Sequence, residues 1–183
     1  MADGLYYVDS RLPFLSADVA AVTLSTTAKA LVPAANIPPL GSNYFSFIGK
    51  AMRIRLFGRI TTAVTPGNGT FQLLYGTGAD ANGVVVCASQ AFALTASQTN
   101  LSWMVDLIVR CRSMGATGTL FGTGRILFNN AVVTSDQMIP ASAPAASAAC
   151  DLTAALLLSP QFLRSGSTAE TMQVHDVLYE ALN

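Results

Sequence analysis

The chain has 183 residues, of which 51% are hydrophobic and only 11% are charged, and its formal net charge is zero. This length suits a single domain with a substantial core, and the charged share is less than half the usual value of about 25%. So few charges argue against a strongly basic or acidic binding protein and provide little of the repulsion that keeps a free monomer soluble. The composition therefore favours a subunit that buries much of its surface against copies of itself or a larger body, with an ordinary neutral protein as the alternative.

The three cysteines, Cys87, Cys111 and Cys150, are odd in number and far apart in the sequence. This pattern argues against a disulfide framework and indicates assembly under reducing conditions, with each thiol buried in an apolar setting. No apolar run reaches the 18 residues that a transmembrane helix needs. No basic segment followed by an apolar one marks a secretory signal at the N-terminus, so we expect neither membrane insertion nor secretion.

The first 18 residues lack any sustained hydrophobic period, and they contain apolar side chains beside Pro13. We expect residues 1–18 to form an N-terminal arm that becomes ordered on a neighbouring molecule. A disordered tail is the alternative, because chain termini are loose unless something ties them down. The remaining residues, 19–183, are predicted to form one domain.

Short segments with alternating or β-branched patterns, separated by turn signals, run through this domain. They predict strands over residues 20–27, 52–62, 70–75, 84–94, 101–112, 119–128 and 171–179, and an aromatic-rich segment over 43–48 predicts a further short strand. The apolar segment 151–162 is also interpreted as a strand, because Pro160 would disrupt a helix there. Residues 140–149 are rich in Ala, Pro and Ser and predict a long loop. With no amphipathic helix in the pattern, we predict an all-β, antiparallel β-sandwich, jelly-roll-like, with about eight strands.

Arginines are concentrated on one side of two of the predicted strands. Met52, Ile54 and Leu56 share one face of the strand over 52–62, and the arginines of that strand occupy the other face. In the strand over 101–112, the arginines share a face with Asp106 and lie opposite Trp103. If both strands belong to one sheet, these side chains form a single patch. The predicted partner-binding residues are Arg53, Arg55, Arg59, Arg110 and Arg112.

The carboxylates of the chain are few and fall mostly in loops or near the termini. We therefore expect the arginines to find their anionic partners largely on another chain, since arginine is favoured at protein interfaces. A solvated sheet face, with arginine protecting an edge, is the alternative. The composition argues against nucleic acid as a partner, because a neutral chain with two lysines lacks the basic excess of phosphate binders.

Catalytic and metal-binding patterns are absent from the sequence. His175 is the only histidine, and Asp176 beside it on a strand would point to the opposite face, which excludes a serine–histidine–aspartate triad built on this pair. Arg110 and Arg112 are likewise expected on the far side of their strand from the Cys111 sulfur. Residues 80–83 resemble part of a calcium loop but lack further ligands, and the pair Gly122 and Gly124 lacks the rest of a dinucleotide motif. We predict no catalytic site, no metal and no cofactor.

The stretches 26–31, 75–83, 94–103 and 164–171 resemble virion structural proteins of tailed phages that infect actinobacteria. The resemblance lies in Ala-, Thr- and Gly-rich short strands with few charges, and it extends from Thr26 to the C-terminus, leaving the arm outside it. It implies a capsid decoration or cement protein, a jelly-roll homotrimer bound to the major capsid protein on the virion, with no catalytic residues.

Two other functions remain open at this point. A phage tail or receptor-binding component belongs to the same structural class. A carbohydrate-binding jelly-roll module is the other, and it requires exposed aromatic side chains on loops, whereas Trp103 and most phenylalanines fall within the predicted strands. An enzyme is the least supported of the functions considered.

Overall fold

A computed structural model of the chain describes residues 18–133, 136–166 and 169–183. The predicted arm over 1–18 therefore lies, except for Asp18, outside the described residues. One three-residue 3-10 turn, Ala34–Asn36, is the only helical element in the described part, and no helix there is long and apolar enough to cross a membrane. The strands are β1 (Val22–Thr23), β2 (Lys29–Ala30), β3 (Ala51–Thr61), β4 (Asn68–Gly76), β5 (Val84–Ala88), β6 (Phe92–Ala93), β7 (Leu101–Ser113), β8 (Thr119–Phe128), β9 (Gln137–Ile139), β10 (Leu157–Arg164) and β11 (Thr171–Ala181).

Two antiparallel sheets make up the sandwich. One has six strands in the order β1-β11-β3-β7-β8-β9, and the other has the order β2-β10-β4-β5, with β6 beside one end of β4. The pairs β1–β11, β2–β10, β3–β7 and β4–β5 nest inside one another, as in one long hairpin rolled into two sheets. The predicted jelly-roll-like sandwich is therefore confirmed. The strand count exceeds eight because β6, β8 and β9 are added to the eight strands of this nested set.

The core lies between the sheets and follows from the alternation in the long strands. Ile54 and Leu107 on the six-stranded sheet and Leu73 on the other are fully buried. At one end of the sandwich the rings of Phe92, Phe128 and Phe162 pack with centroids 5.2 to 6.5 Å apart. This arrangement leaves the outer face of the six-stranded sheet to solvent or to a partner.

Several strand boundaries differ from the sequence prediction. The segment 43–48 forms turns in place of a strand, with Asn43 at φ 56° and a hydrogen bond from the Tyr44 amide to the Gly41 carbonyl. The strand predicted over 84–94 divides into β5 and β6 at Ser89. The Ser89 amide still donates to the Phe71 carbonyl, but its hydroxyl takes the place of its carbonyl and accepts the hydrogen bond from the Phe71 amide. The strand predicted over 151–162 begins only at Leu157 and continues to Arg164.

A β-bulge in β11 changes which side chains of that strand face the core. Val174 pairs with Gly58 and Asp176 pairs with Phe57, so His175 is the extra residue. A strict alternation through the predicted strand over 171–179 would place Val177 and Tyr179 on the face opposite Val174, which is not what the structure shows. The extra residue shifts the alternation by one, and all three of these side chains are buried.

Candidate functional site

We call the outward-facing side chains of β3, β7, β8 and β11 the arginine face. Arg53, Arg55, Arg59, Arg110 and Arg112 all lie on it, and β3 pairs directly with β7. The prediction that these five residues share one side of one sheet is confirmed, whereas their binding of a partner stays a prediction. A sixth arginine, Arg125 on β8, lies across from Asp106 in the register. Arg125 was not among the residues predicted from the sequence, although the alternation of the strand over 119–128 places it on the same side.

Asp106 lies at the centre of this face. Its carboxylate accepts two hydrogen bonds from Arg53, at 2.9 Å to Nε and 2.6 Å to Nη2. Arg55, directly opposite in the register, places its Nε 3.7 Å from the same carboxylate. The hydrogen bond from Arg53, together with the positive charges of Arg53, Arg55 and Arg125, lowers the pKa of Asp106 despite partial burial. For Arg53 the expectation of a carboxylate from another chain was therefore wrong.

The remaining arginines of the arginine face, Arg59, Arg110, Arg112 and Arg125, have no carboxylate within 4.0 Å among the described residues. Arg59 donates a hydrogen bond to the Asn100 carbonyl at 2.8 Å, and the Arg112 guanidinium lies 4.5 Å from the Phe121 ring centroid. The face carries six arginines and three carboxylates, those of Asp106, Asp176 and Glu180. It therefore has three positive charges in excess, although the chain has zero net charge. The face is thus electrostatically complementary to an acidic surface.

Apolar side chains are interspersed with these charges. Phe57 is 45% exposed, and Met138 on the edge strand β9 is 68% exposed. Half-buried apolar side chains surround them on the same face, namely Met104, Ile108, Leu127 and Leu178. Arginine, methionine and aromatic residues are the side chains that distinguish protein interfaces from the rest of a surface, while lysine is depleted there. The arginine face has this composition and no lysine on its four strands.

A groove of about 510 Å³ crosses this face between β7, β8 and the loop after β9. Arg53, Asp106 and Arg125 form its polar part, and Ile108 and Met138 contribute apolar surface. The loop residues Pro140, Ser142 and Pro144 form the far wall. The groove offers both charge pairing and apolar contact to a protruding partner segment.

His175 has a partner other than the adjacent aspartate. Its Nδ1 lies 2.9 Å from Asp18 Oδ1, while Asp176 points away as predicted. Nε2 is buried and has no hydrogen-bond partner among the described residues, so no serine or cysteine there is engaged as a nucleophile. The geometry therefore contains an imidazole–carboxylate pair without the third member of a triad.

The thiols lie in settings that oppose reactivity. All three are free and buried, as predicted. Burial raises the pKa of Cys87 to about 12 and also raises the pKa of Cys111 and of Cys150. Arg110 and Arg112 are exposed on the opposite side of β7 from the Cys111 sulfur, so they do not counteract this effect.

The calcium-like stretch after β4 has a structural role. Asp80 accepts hydrogen bonds from Lys29 Nζ at 2.7 Å and from the Ala30 amide at 2.8 Å, which fastens the loop to β2. Ala81 and Gly83 have positive φ values of 51° and 130°, as expected for a turn. Across the described ranges, no three histidine, cysteine or acidic side chains group as a metal site.

Comparisons with known proteins add little to this picture. No protein-family model matches the chain, and no curated protein matches it. Among solved structures, the chain is similar to the binding domain of botulinum neurotoxin DC in complex with rat synaptotagmin II, with 11% identity and a TM-score of 0.27 over 73% of this chain and 33% of that one. It is also similar to the CBM2 module of the evolved Dit of Lactobacillus casei BL23 phage J-1, with 7% identity and a TM-score of 0.28 over 78% and 66%.

A legume lectin-like domain from Entamoeba histolytica is a third similar structure, with 9% identity and a TM-score of 0.29 over 88% of this chain and 97% of that one. The chain spans about a third of the length of the neurotoxin domain. At these identities and TM-scores, the similarities support no conclusion about ligand or location. The fold assignment rests on the strand pairing itself.

Proposed function

We propose that the protein is a non-enzymatic virion structural subunit that binds a phage shell, as an oligomer, through the arginine face. The observation that carries the proposal is the excess of three positive charges on a sheet face that also exposes Phe57 and Met138. The resemblance to virion proteins of actinobacterial phages supports the location. Within this reading, the protein is a capsid decoration or cement subunit, and its partners are the major capsid protein and further copies of itself in a homotrimer.

The charge pattern indicates what the bound surface must offer. Arg110 and Arg125 have no carboxylate partner among the described residues, so they are available to acids on a partner. Leaving one member of a buried charge pair without its partner costs about 2–5 kcal/mol of binding, whereas an exposed pair contributes less than about 1 kcal/mol. The loss of binding when an arginine is truncated therefore distinguishes a docking face, where the loss is large, from a solvated face, where it is small.

The proposal is tested with Arg110→Ala and Arg125→Ala, singly and together, by co-sedimentation with shells of the parent phage and by sedimentation velocity of the free protein. We expect each change to weaken shell binding or trimer association at least about tenfold, because a buried acid on the partner loses its counter-charge. The circular dichroism of the sheet should stay as in the parent. Arg53→Ala and Arg55→Ala should weaken binding as well, but Arg53→Ala also deprives Asp106 of its internal partner.

Lys29→Ala is the matched control, because it removes a positive charge from β2 in the other sheet. It should leave shell binding and association unchanged. If the double arginine variant and the lysine control bind equally well, the arginine face is plain solvated sheet and the proposal is wrong.

The carbohydrate-binding or receptor-binding alternative has one supporting observation. Phe47, in the loop before β3, is 44% exposed, and Lys50 Nζ lies 5.9 Å from its ring centroid and 4.3 Å from that of Tyr44. Exposed loop aromatics were the feature this alternative requires. Glycan-array binding that disappears in Phe47→Ala and persists in Arg110→Ala would favour it over shell docking.

A further inference from the structure

Two asparagines of the chain are followed directly by glycine, Asn68 by Gly69 and Asn82 by Gly83. In such a pair the glycine amide nitrogen can attack the side-chain carbonyl of the asparagine, because glycine has no side chain to obstruct the approach. The attack requires an amide that is free of the hydrogen-bonded ladder, a side-chain carbonyl that can carry negative charge, and water nearby. The fold places the two pairs in opposite settings.

Asn82 and Gly83 lie in the turn between β4 and β5, and both residues are exposed. The following residue, Val84, is the first of β5 to pair with β4. The Gly83 amide donates no hydrogen bond to any described residue. Gly83 has a φ of 130°, a backbone conformation that residues with a side chain rarely adopt. The turn therefore requires the residue whose amide is least obstructed.

The Asn82 side chain is held and polarised by Thr77. Asn82 Oδ1 accepts hydrogen bonds from the Thr77 hydroxyl at 2.9 Å and from the Thr77 amide at 3.4 Å. Because a backbone amide can only donate, the atom that faces Thr77 is the side-chain oxygen. The Thr77 hydroxyl in turn accepts a hydrogen bond from the Ala79 amide at 3.5 Å, so its own proton is directed to Asn82. Donors aimed at this oxygen stabilise the negative charge that develops on it when a nucleophile adds to the carbonyl carbon.

We propose that Asn82 is a site of spontaneous deamidation in the folded protein. The Gly83 amide nitrogen loses its proton to a solvent base and forms a bond to Asn82 Cγ, and negative charge develops on Oδ1 beside the two Thr77 donors. The bond between Cγ and Nδ2 then breaks, and Nδ2 takes a proton from solvent and leaves as ammonia. The product is a cyclic imide, which water opens at either carbonyl carbon to aspartate or isoaspartate. No oxidant or reductant takes part.

Asn68 and Gly69, in contrast, are protected by the sheet. The Asn68 amide donates to Ser165 Oγ at 2.9 Å, and the Asn68 carbonyl accepts from the Ser165 amide at 2.8 Å. Successive residues of a strand direct their backbone groups to opposite edges, so the Gly69 amide is directed to the other edge, where Phe92 of β6 is its partner in the register. Gly69 is also buried, and a Cβ at this position would meet the Phe162 ring. Attack by Gly69 therefore requires the ladder to open first.

Deamidation would alter a turn that an ion pair fastens to β2. Asp80 in the same turn accepts hydrogen bonds from Lys29 Nζ and from the Ala30 amide. Deamidation adds one negative charge near Asp80, on a chain of zero net charge, and isoaspartate also lengthens the backbone between Asp80 and β5. Because β4 and β5 belong to the sheet opposite the arginine face, this inference does not depend on shell docking.

The test is to age the intact protein in mildly alkaline buffer and to measure aspartate and isoaspartate at both asparagines by chromatography and mass spectrometry of its peptides. Synthetic peptides of residues 64–72 and 78–86 provide the unfolded reference rates in the same buffer. We expect Asn82 to convert at least about tenfold faster than Asn68 in the folded protein, because only the attack at Asn68 must wait for the ladder to open. Asn82 should also convert at least as fast in the protein as in its peptide.

Two variants test the role of Thr77. Thr77→Val removes the hydroxyl and should slow the conversion of Asn82 at least about threefold, because a donor to the developing negative charge is lost. Thr77→Ser keeps the hydroxyl and is the matched control, which should convert at the rate of the parent. An unchanged rate in Thr77→Val would overturn the assignment of this hydroxyl as the activating donor.

Two outcomes in the parent protein would overturn the proposal as a whole. One is conversion of Asn68 at a rate within about tenfold of that of Asn82 in the folded protein, because the ladder would then give no protection. The other is conversion of Asn82 more slowly in the protein than in its peptide. Both comparisons use the unaltered chain, so they do not depend on whether either variant folds.

Discussion

The exchange of Glu170 for glutamine should destabilise the fold strongly. The Glu170 side chain is completely buried, and its Oε2 lies 2.7 Å from Nε of Arg164, which is only 8% exposed. Arg164 also donates a hydrogen bond to the Leu24 carbonyl at 3.1 Å, so the pair joins the end of β10 to the chain beside β1. Glutamine removes the negative charge and leaves the guanidinium buried. Breaking a buried ion pair from one side costs about 3–5 kcal/mol.

This loss is large against a total stability of about 5–15 kcal/mol for a typical domain. At this chain length, 1 kcal/mol corresponds to a shift of about 2–4 °C in the melting temperature, so we expect a fall of about 6–20 °C. Urea denaturation followed by circular dichroism measures the free energy directly. Glu180→Gln is the matched control, because Glu180 is the other glutamate of the chain and is only half-buried; it should change stability by less than about 1 kcal/mol.

Combining Glu170→Gln with Arg164→Met should recover part of the loss, since no charge is then left stranded in the interior. If Glu170→Gln alone unfolds within about 1 kcal/mol of the parent, the reasoning from the buried pair is wrong.

Three further outcomes follow from the packing and the charges. The pKa of Asp106 is lowered in the folded protein, so its stabilising contribution is present above the unfolded pKa of about 3.9 and is lost as the pH falls through the folded pKa. Asp106→Asn should therefore reduce the loss of stability at acid pH by about 1 kcal/mol, because the pair with Arg53 is partly exposed. Urea titrations between pH 7 and pH 2 measure this difference. Gly58→Ala should lower the free energy of unfolding by about 1–3 kcal/mol or more. The added methyl group would clash with the Gln173 carbonyl oxygen and come within 2.8 Å of the Trp103 ring. Unchanged stability would show that β3 shifts to make room for the methyl group. Thiol reagents should leave Cys87 unmodified in the native protein at pH 8 and react only after denaturation, since burial raises its pKa to about 12; rapid native labelling would contradict this.

The arginine face was largely predictable because it depends on alternation alone. Successive side chains of a strand point to opposite sides, so Arg53 and Arg55 had to lie together once Ile54 was assigned to the core. The partner of Arg53 was not predictable in the same way. Asp106 was assigned to the correct side of its strand, but its position opposite Arg55 depends on the register between β3 and β7, and 39 residues separate β3 from β7 in the sequence.

The error in β11 has a different physical origin. A bulge adds one residue to a strand, and no signal in residues 171–179 marks His175 as that residue. The consequence is that Tyr179 belongs to the core and Leu178 to the arginine face. A strict alternation from Val174 onward would place these two side chains the other way round. Segment 43–48 forms turns and not a strand because Asn43 and Gly49 adopt positive φ angles, which the aromatic side chains of the segment do not predict.

The covering of the sheet edges determines how this protein can bind a partner. Along β8, β9 pairs with residues 124–126, and the returning chain covers the start of that strand, with hydrogen bonds from the Ser147 amide to the Leu120 carbonyl and from the Cys150 amide to the Gly118 carbonyl. Strand addition by a partner therefore has little room along the β8 edge. Docking through the arginine face depends instead on its three excess positive charges, and salt screens the attraction between these charges and an acidic surface before the two surfaces come together. Shell binding should therefore weaken as the salt concentration rises from about 0.05 to about 0.5 M; binding that stays constant over this range would show that the charges of the arginine face do not hold the partner.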